Sequence, residues 1–360
     1  MQVSSETGVR PFAEPHETKY ARLLRELSKL TTWHAANCAE YRRILEVIYD
    51  SGPSCFGSIS ELPFLPVRLF KMLELRSVPA TAVVKTLTSS GTTSQHPSRI
   101  FLDKETAFAQ AIALTNIMKS FLGSKRLPMA IVDCQSVLKD RSSFSARGAG
   151  ILGFSQLGRD HVYLLDNSMR LDWTAVDSFL ARHIDTPVLL FGFTFMIWRY
   201  LYQASMGAGR KLDLSHCTLI HGGGWKKLDQ ERISNEKFKA RLEEQFGIRC
   251  IHNYYGMVEQ TGSIFVECER GYFHSSFYSD VLVRDPDTLE VIANGQTGVL
   301  QVFSSIPKSY PGHVLLSEDL ATIVGEDDCA CGRYGKYLLV HGRLPHAELR
   351  GCSDVHPEAL

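Results

Sequence analysis

The sequence predicts an α/β protein with a largely parallel central sheet, followed by a smaller β-rich region. Between residues 128 and 253, short apolar runs that suit buried strands alternate with helical patterns. Two of these runs pass directly into turns, HGGG at 221–224 and NYYG at 253–256. After Thr261 the helical patterns give way to short strand patterns separated by turns.

Taken in order, residues 17–50 read as helices. Leu23, Leu24, Leu27 and Leu30 recur at helical spacing, with Lys19, Arg22 and Arg25 between them. LPFLPVRLFK (62–71) is interrupted by Pro63 and Pro66 and is expected to be an extended connector. Residues 81–88 are rich in β-branched side chains and lead into the hydroxyl-rich turn 89–94, and 103–122 return to helical spacing. Strands are expected at 128–134, 187–193, 217–221 and 249–253, with a helix at 173–184. Phe238, Leu242 and Phe246 mark the inner face of another helix, which Gly247 ends. Strand patterns at 280–284, 298–303 and 337–341 complete the chain. The expected organisation is an α/β core with N-terminal helices over 1–260, a β-rich subdomain over 261–345 and a tail over 346–360.

Composition narrows the classes of function. Hydrophobic residues make up 44% of the 360 residues and charged residues 22%, an ordinary globular balance. Lys+Arg and Asp+Glu both number 39, so there is no basic excess to suggest nucleic acid. Residues 1–20 hold no apolar run that could act as a signal peptide. The longest apolar run, TPVLLFGFTFMIW (186–198), is too short to span a bilayer. A soluble, cytoplasmic protein is expected. Its nine cysteines then read as free thiols, metal ligands or a catalytic thiol rather than a disulfide framework.

Four segments could handle a nucleotide. TSSGTTSQHPSR (88–99) follows a strand, and Ser89, Ser90, Gly91, Thr92 and Thr93 could wrap phosphate oxygens with hydroxyl and backbone donors. It lacks the Gly-Lys-Ser/Thr of a Walker loop, and a Ser/Thr-rich surface turn would look the same. In HGGGWKK (221–227), Gly222, Gly223 and Gly224 allow a flat ligand close to the backbone beyond the carboxyl end of a strand, although such turns are common. In NYYGMVEQT (253–261), Tyr254, Tyr255 and Gly256 offer a stacking surface, and Glu259 could hold Mg²⁺ beside a phosphate; a helix start with an exposed Glu is the alternative. In SEDLAT (317–322), Asp319 suits two ribose hydroxyls, and Arg343 further on suits hydroxyl or phosphate.

In this order the four segments resemble the adenylate-forming superfamily of acyl ligases. More closely, the chain resembles the LuxE family of acyl-protein synthetases. The resemblance is carried by 62–71, 88–100, FSARGAGILGF (144–154), FGFTFMIW (191–198), 221–227, NYYGMVEQTG (253–262) and HGRLPHAELRGCSD (341–354). It implies mixed sheets flanked by helices; in departure from the longer ligases the sequence stops at Leu360, so the C-terminal lid domain is expected to be absent or vestigial. It implies ATP and Mg²⁺ as cofactors, activation of a carboxylic acid (a long-chain fatty acid above all), and delivery to an acyl reductase partner. Ser94 and Arg99 depart from the superfamily's usual Gly-x-Pro-Lys, which leaves Lys226, Lys227 and Arg99 as candidates for the cation at the α-phosphate. Delivery to coenzyme A or a carrier protein, or a zinc-stabilised binding protein without activity, are the alternative readings.

Cys352 lies between Gly351 and Ser353, two residues from Arg350, a setting that favours a thiolate. The resemblance implies that this cysteine accepts the acyl group. Cys329-x-Cys331-Gly332, with Cys268 and His274 upstream, could complete a tetrahedral structural Zn²⁺ site or could be reduced structural thiols. Related phenylacetate–CoA ligase-like proteins contain a similar Cys-x-Cys-Gly-Arg stretch. Cys38, Cys55, Cys134, Cys217 and Cys250 read as core residues.

Overall fold

A computed structural model describes residues 8–49, 56–89, 97–138 and 143–344. The side chains of 143–146, 226, 227 and 229 lie outside that description. Backbone contacts divide these residues into two compact units, one formed by 8–120 with 256–344 and the other by 121–255.

The second unit carries the α/β alternation. Five of its strands are neighbours in one sheet, in the order Gly158–Leu165, Leu127–Cys134, Val188–Phe193, Cys217–Gly222 and Cys250–Tyr255. Every neighbouring pair is parallel. Val188–Phe193 is buried at all six positions, as expected of a parallel strand covered on both faces. Helix Asn235–Phe246 buries Phe238, Leu242 and Phe246. Ser234 caps its first turn by accepting the Lys237 amide, and Gly247 ends it at φ 75°, in the left-handed region. After Phe193 the chain turns into helix Thr194–Met196 and then a π-helical stretch, Ile197–Gln203. Helix Ala146–Ser155 and strand Gly158–Leu165 have no counterpart in the sequence reading. The strand exposes three consecutive residues, so it shows no two-residue alternation.

The first unit is largely antiparallel. Its strands run in the order Ser279–Arg284, Thr297–Ser304, Val314–Glu326, Lys336–Arg343, Phe273–His274 and Phe265–Glu267. Leu65–Pro66 adds a short parallel partner to Val314–Glu326. Strands Val83–Thr88 and Arg99–Asp103 form a hairpin. Helix His16–Asn37 presses Leu23 and Leu27 against Ile59, Leu62, Phe303 and Val314, all nearly inaccessible to solvent. Helix-spaced leucines in the sequence are thus the contact stripe of a helix on a sheet. The mixed α/β architecture, with sheets flanked by helices, is the predicted fold class.

Two local expectations need correction. The 62–71 connector is not extended throughout, because Leu69–Met72 forms a helical turn. Pro63 and Pro66 both precede that turn, so neither removes a hydrogen bond from it. Cys250 is exposed, not in the core, because it opens its strand. Among the described residues no helix is long and apolar enough to cross a membrane.

The first unit also buries a histidine pair. The rings of His34 and His313 are 4.8 Å apart, and both are almost wholly inaccessible. His34 Nδ1 is 2.7 Å from Ser77 Oγ and its Nε2 3.1 Å from the Pro307 carbonyl, while His313 Nε2 is 2.9 Å from Thr31 Oγ1. Burial holds His34 down to about 3 and His313 well below the ordinary imidazole range. Both are therefore neutral when folded and would take up protons on unfolding below an ordinary value of about 6.5. Their contribution to stability is present above that pH and lost as the pH falls from there towards 3. In denaturation at stepped pH, the unfolding free energy should fall with a slope approaching about 2.7 kcal/mol per pH unit from this pair. His313→Gln should remove about half of that slope. An unchanged slope would place the acid sensitivity elsewhere.

Candidate functional site

In the first unit, strand Val83–Thr88 delivers the chain to Ser89. The Ser89 amide donates to the Ser98 carbonyl at 3.1 Å, and Ser89 Oγ accepts the Ser98 amide at 2.8 Å. Ser89 thus closes the neck of the hydroxyl-rich loop; its O–H can still donate to an anion. Ser90, Gly91, Thr92 and Thr93 lie outside the described residues. Arg99 is exposed, with a loose 4.0 Å pairing to Glu74.

Glu259 lies in the short helical turn Val258–Gln260 and is 5% exposed. The neighbouring Gln260 side-chain Nε2 donates to the carbonyls of Gly312 at 2.8 Å and Val302 at 3.3 Å, fixing the turn to the sheet. Gly312 fits closely here, since a Cβ on it would fall 2.3 Å from Tyr310 and 2.7 Å from the Glu259 carbonyl. Burial and then the Glu259 charge push the Tyr310 phenol far up, so it stays neutral.

Asp319 and Arg343 are direct cross-strand partners, and Arg343 Nε sits 3.7 Å from Asp319 Oδ1. The two residues selected for a ribose therefore meet. The sequence reading passed over Glu318, whose Oε1 accepts both Nε and Nη2 of Arg68 at 3.0 and 2.8 Å.

In the second unit, the glycine turn begins at the end of strand Cys217–Gly222. Phe193, Gly222 and Tyr254 are in register across three parallel strands. The Tyr254 ring lies on Gly222, where a Cβ would come within 2.5 Å of it. Phe154 packs against the same ring at 4.9 Å and Phe191 stacks at 6.4 Å. Tyr255 points to the opposite face of the strand. Gly223 has φ 76°, a conformation that suits glycine. Thr194 Oγ1 is 3.1 Å from the Gly222 carbonyl, to which it donates, and 3.0 Å from His221 Nδ1. Burial keeps His221 neutral, at about 3. Thr194 was not selected from sequence, although its place just past a strand end was a usable signal. Lys226 lies in the 3₁₀ stretch Lys226–Glu231, and its side chain lies outside the description.

Cys268, His274, Cys329 and Cys331 converge in the first unit, with their donor atoms all within 4.8 Å of one another. Cys331 Sγ is 3.4 Å from His274 Nε2. Burial, followed by Arg333, lowers His274 to about 4, and burial pushes Cys329 up to about 12. Burial also opposes ionisation of Cys331, but hydrogen bonds from Arg333, Cys329 and Cys268 together outweigh it and the thiol is lowered overall. Three sulfurs and a neutral imidazole in a small pocket fit a thiophilic divalent ion. Cys352 lies outside the described residues. Exposed Cys250 stands 3.4 Å from His252 Nε2.

The profile of the family described as "Acyl-protein synthetase, LuxE" matches residues 8–360. A long-chain-fatty-acid–luciferin-component ligase of Aliivibrio fischeri is 22% identical over 273 residues, covering 72% of this chain and 69% of that protein. The ligase of the same name from Vibrio harveyi is 25% identical over 140 residues, covering 38% of this chain and 35% of that protein. Among solved structures, an open conformation of 2-hydroxyisobutyryl-CoA ligase bound to 2-HIB-AMP and CoA superimposes with a TM-score of 0.74. That match covers 95% of this chain and 80% of that one at 17% identity, which is a likeness of fold.

The Gly222–Tyr254 contact makes a direct prediction. Gly222→Ala should destabilise the protein by about 1–3 kcal/mol, because the ring it would strike is itself held by neighbours. Tyr254→Ala in the same chain should recover part of that loss. Chemical denaturation of the two single variants and the double variant measures the coupling, and strictly additive effects would refute the contact.

Proposed function

Because the chain belongs to the LuxE family of acyl-protein synthetases, we propose that it activates a carboxylic acid with ATP and passes the acyl group to its own Cys352. The family match over residues 8–360 is the observation that carries this reading. The names of the two bacterial relatives make a long-chain fatty acid the favoured substrate.

In the first step a carboxylate oxygen of the acid bonds to the α-phosphorus of ATP, and the bond to the β-phosphate bridging oxygen breaks. Pyrophosphate leaves and an acyl adenylate remains. The protein's task here is positioning and charge stabilisation. Ser89, Ser90, Gly91, Thr92 and Thr93 hold the β- and γ-phosphate oxygens. Gly223, Gly224 and Gly256 let the adenine approach the backbone, while Gly222 makes room for the Tyr254 ring beneath that turn. Tyr254 is committed to the Gly222 surface, which favours Tyr255 for stacking on the base. Asp319 and Arg343, already side by side, take the ribose. Glu259 is the carboxylate for Mg²⁺, which when bound neutralises phosphate charge. Lys226 is the leading cation for the α-phosphate.

In the second step the Cys352 thiolate bonds to the acyl carbonyl carbon and AMP leaves with the bonding electrons. The resulting thioester is the form an acyl reductase partner would consume. A structural Zn²⁺ at Cys268, His274, Cys329 and Cys331 completes the cofactor assignment.

Pyrophosphate should exchange into ATP only when an acid is present, and Glu259→Gln should slow that exchange by at least roughly tenfold. A series of fatty and aromatic acids that gives no acid-dependent exchange would overturn the activity. With ATP, Mg²⁺ and labelled fatty acid, intact-mass analysis should show one hydroxylamine-sensitive acyl group per chain. Cys352→Ser should abolish that label and leave exchange in place, since adenylation precedes the thiol step. A label that survives in Cys352→Ser would move the acceptor to another residue, and consumption of coenzyme A without a label would replace the self-acylation step.

A further inference from the structure

Resting on the zinc assignment above, we propose that one Zn²⁺ held by Cys268, His274, Cys329 and Cys331 fastens the N-terminal segment, residues 11–19, to the sheet of the first unit.

The four donors come from two similar knuckles and one strand. Cys268 begins the first knuckle, where its carbonyl accepts the Gly271 amide at 3.0 Å; Cys329 begins the second, where its carbonyl accepts the Gly332 amide at 2.9 Å. Gly271 and Gly332 both have positive φ, at 83° and 78°. In the first knuckle the Arg270 amide points at Cys268 Sγ at 3.4 Å, a donor suited to a thiolate. His274 stands between the knuckles on strand Phe273–His274, paired with Tyr337. Arg333 and Glu269, one from each knuckle, form a two-pronged ion pair at 2.6 and 3.0 Å.

A tetrahedral zinc–sulfur site has edges of about 3.8 Å, given bonds of about 2.3 Å. The donor atoms lie within 4.8 Å of one another, so a contraction of about 1 Å closes the site. Cys268 and His274 are inaccessible, Cys329 is 7% exposed and Cys331 is half-buried, which limits the access of competing water. Loading the site releases three thiol protons, and the imidazole binds without losing one.

The N-terminal segment is tied to the residues that flank these donors. The Phe277 amide donates to the Pro11 carbonyl at 2.6 Å, and the Tyr334 amide to the Phe12 carbonyl at 3.0 Å. The Phe12 ring meets the His274 ring edge-on, with centroids 6.2 Å apart, and the Arg333 guanidinium lies 6.0 Å from the same ring. The His16 amide donates to Asp327 Oδ2 at 2.7 Å, and His16 Nδ1 is 2.6 Å from Glu326 Oε1. Lys19 Nζ donates to Ser275 Oγ at 3.0 Å. These partners sit on residues 274–277 and 326–334. Without an ion, the two knuckles are joined by a small cluster of Cys268, Cys329 and Tyr337, with Tyr272 and Cys331 at its edge. An ion linking residues some sixty positions apart makes the docking surface for 11–19 a single rigid body.

The test uses the full chain purified without added metal. Elemental analysis should find one zinc per chain, retained in Cys331→His and lost in Cys331→Ser. Hydrogen exchange read by mass spectrometry, before and after chelation, should show amides in the 11–19 peptide exchanging at least about tenfold faster without the ion. Protection should return when Zn²⁺ is restored, and helix Asn235–Phe246 of the other unit should be unaffected. Absence of zinc would overturn the metal assignment together with the fastening role. One zinc per chain, with unchanged protection of 11–19 after its removal, would overturn the fastening role alone. Equal loss of protection in 11–19 and 235–246 would likewise refute a local effect.

Discussion

The alignment of three parallel strand ends is the constraint on which the candidate nucleotide site depends. Phe193, Gly222 and Tyr254 occupy matching positions on neighbouring strands, so the turns that follow leave the sheet at one level. Parallel pairing requires crossover connections, and the carboxyl ends of such strands are where open α/β sheets bind ligands. The alignment works because Gly222 has no side chain. Tyr254 rests on its Cα and is held there by Phe154 and Phe191. Thr194, one step past the end of the neighbouring strand, then fixes the Gly222 carbonyl. The backbone of the glycine turn is thus set by packing from one side and a hydrogen bond from the other.

Each unit buries a charged pair. In the second, Asp133 accepts two hydrogen bonds from Arg147, tying the end of strand Leu127–Cys134 to the start of helix Ala146–Ser155. In the first, Lys336 Nζ lies 3.3 Å from Asp280 Oδ2 and 2.9 Å from the Val281 carbonyl, and the Lys19 ammonium is close enough to feel the Asp280 charge. Such pairs give up much of their attraction to desolvation, so removing one partner costs more than the intact pair contributes. Lys19 connects the first long helix to residues beside the thiol cluster, a contact more than two hundred residues apart in sequence.

What could be read from sequence was what repeats locally. The apolar run at 188–193, the helix face of Phe238, Leu242 and Phe246, and its Gly247 stop all have signatures a few residues long. The thiol–imidazole cluster was legible because cysteine spacing is chemically selective. Strand Val314–Glu326 was missed because SEDLAT interrupts its apolar pattern, although Leu315 and Ala321 are inaccessible. The Asp319–Arg343 meeting is a matter of strand register, which local pattern does not encode. The same holds for Thr194 against His221 and for the His34–His313 pair, whose members come from distant elements.

The placement of the described thiols bears on the proposed acyl acceptor. A cysteine that takes an acyl group from an adenylate must be accessible and near the carboxyl ends of the parallel strands. Cys38, Cys134, Cys217, Cys268 and Cys329 are buried, and burial raises Cys217 to about 12, far from a useful nucleophile. Cys331 belongs to the thiol–imidazole cluster. Cys250 is accessible, with His252 beside it, but it opens the strand whose far end carries Tyr254 and Tyr255. At about 3.3 Å per residue, four steps along that strand put roughly 13 Å between its thiol and the turn, more than a cysteine side chain can span. Cys55 lies outside the described residues, and the described thiols are poorly placed for acyl transfer. That supports Cys352, flanked by Gly351 and near Arg350, as the residue that carries the acyl group.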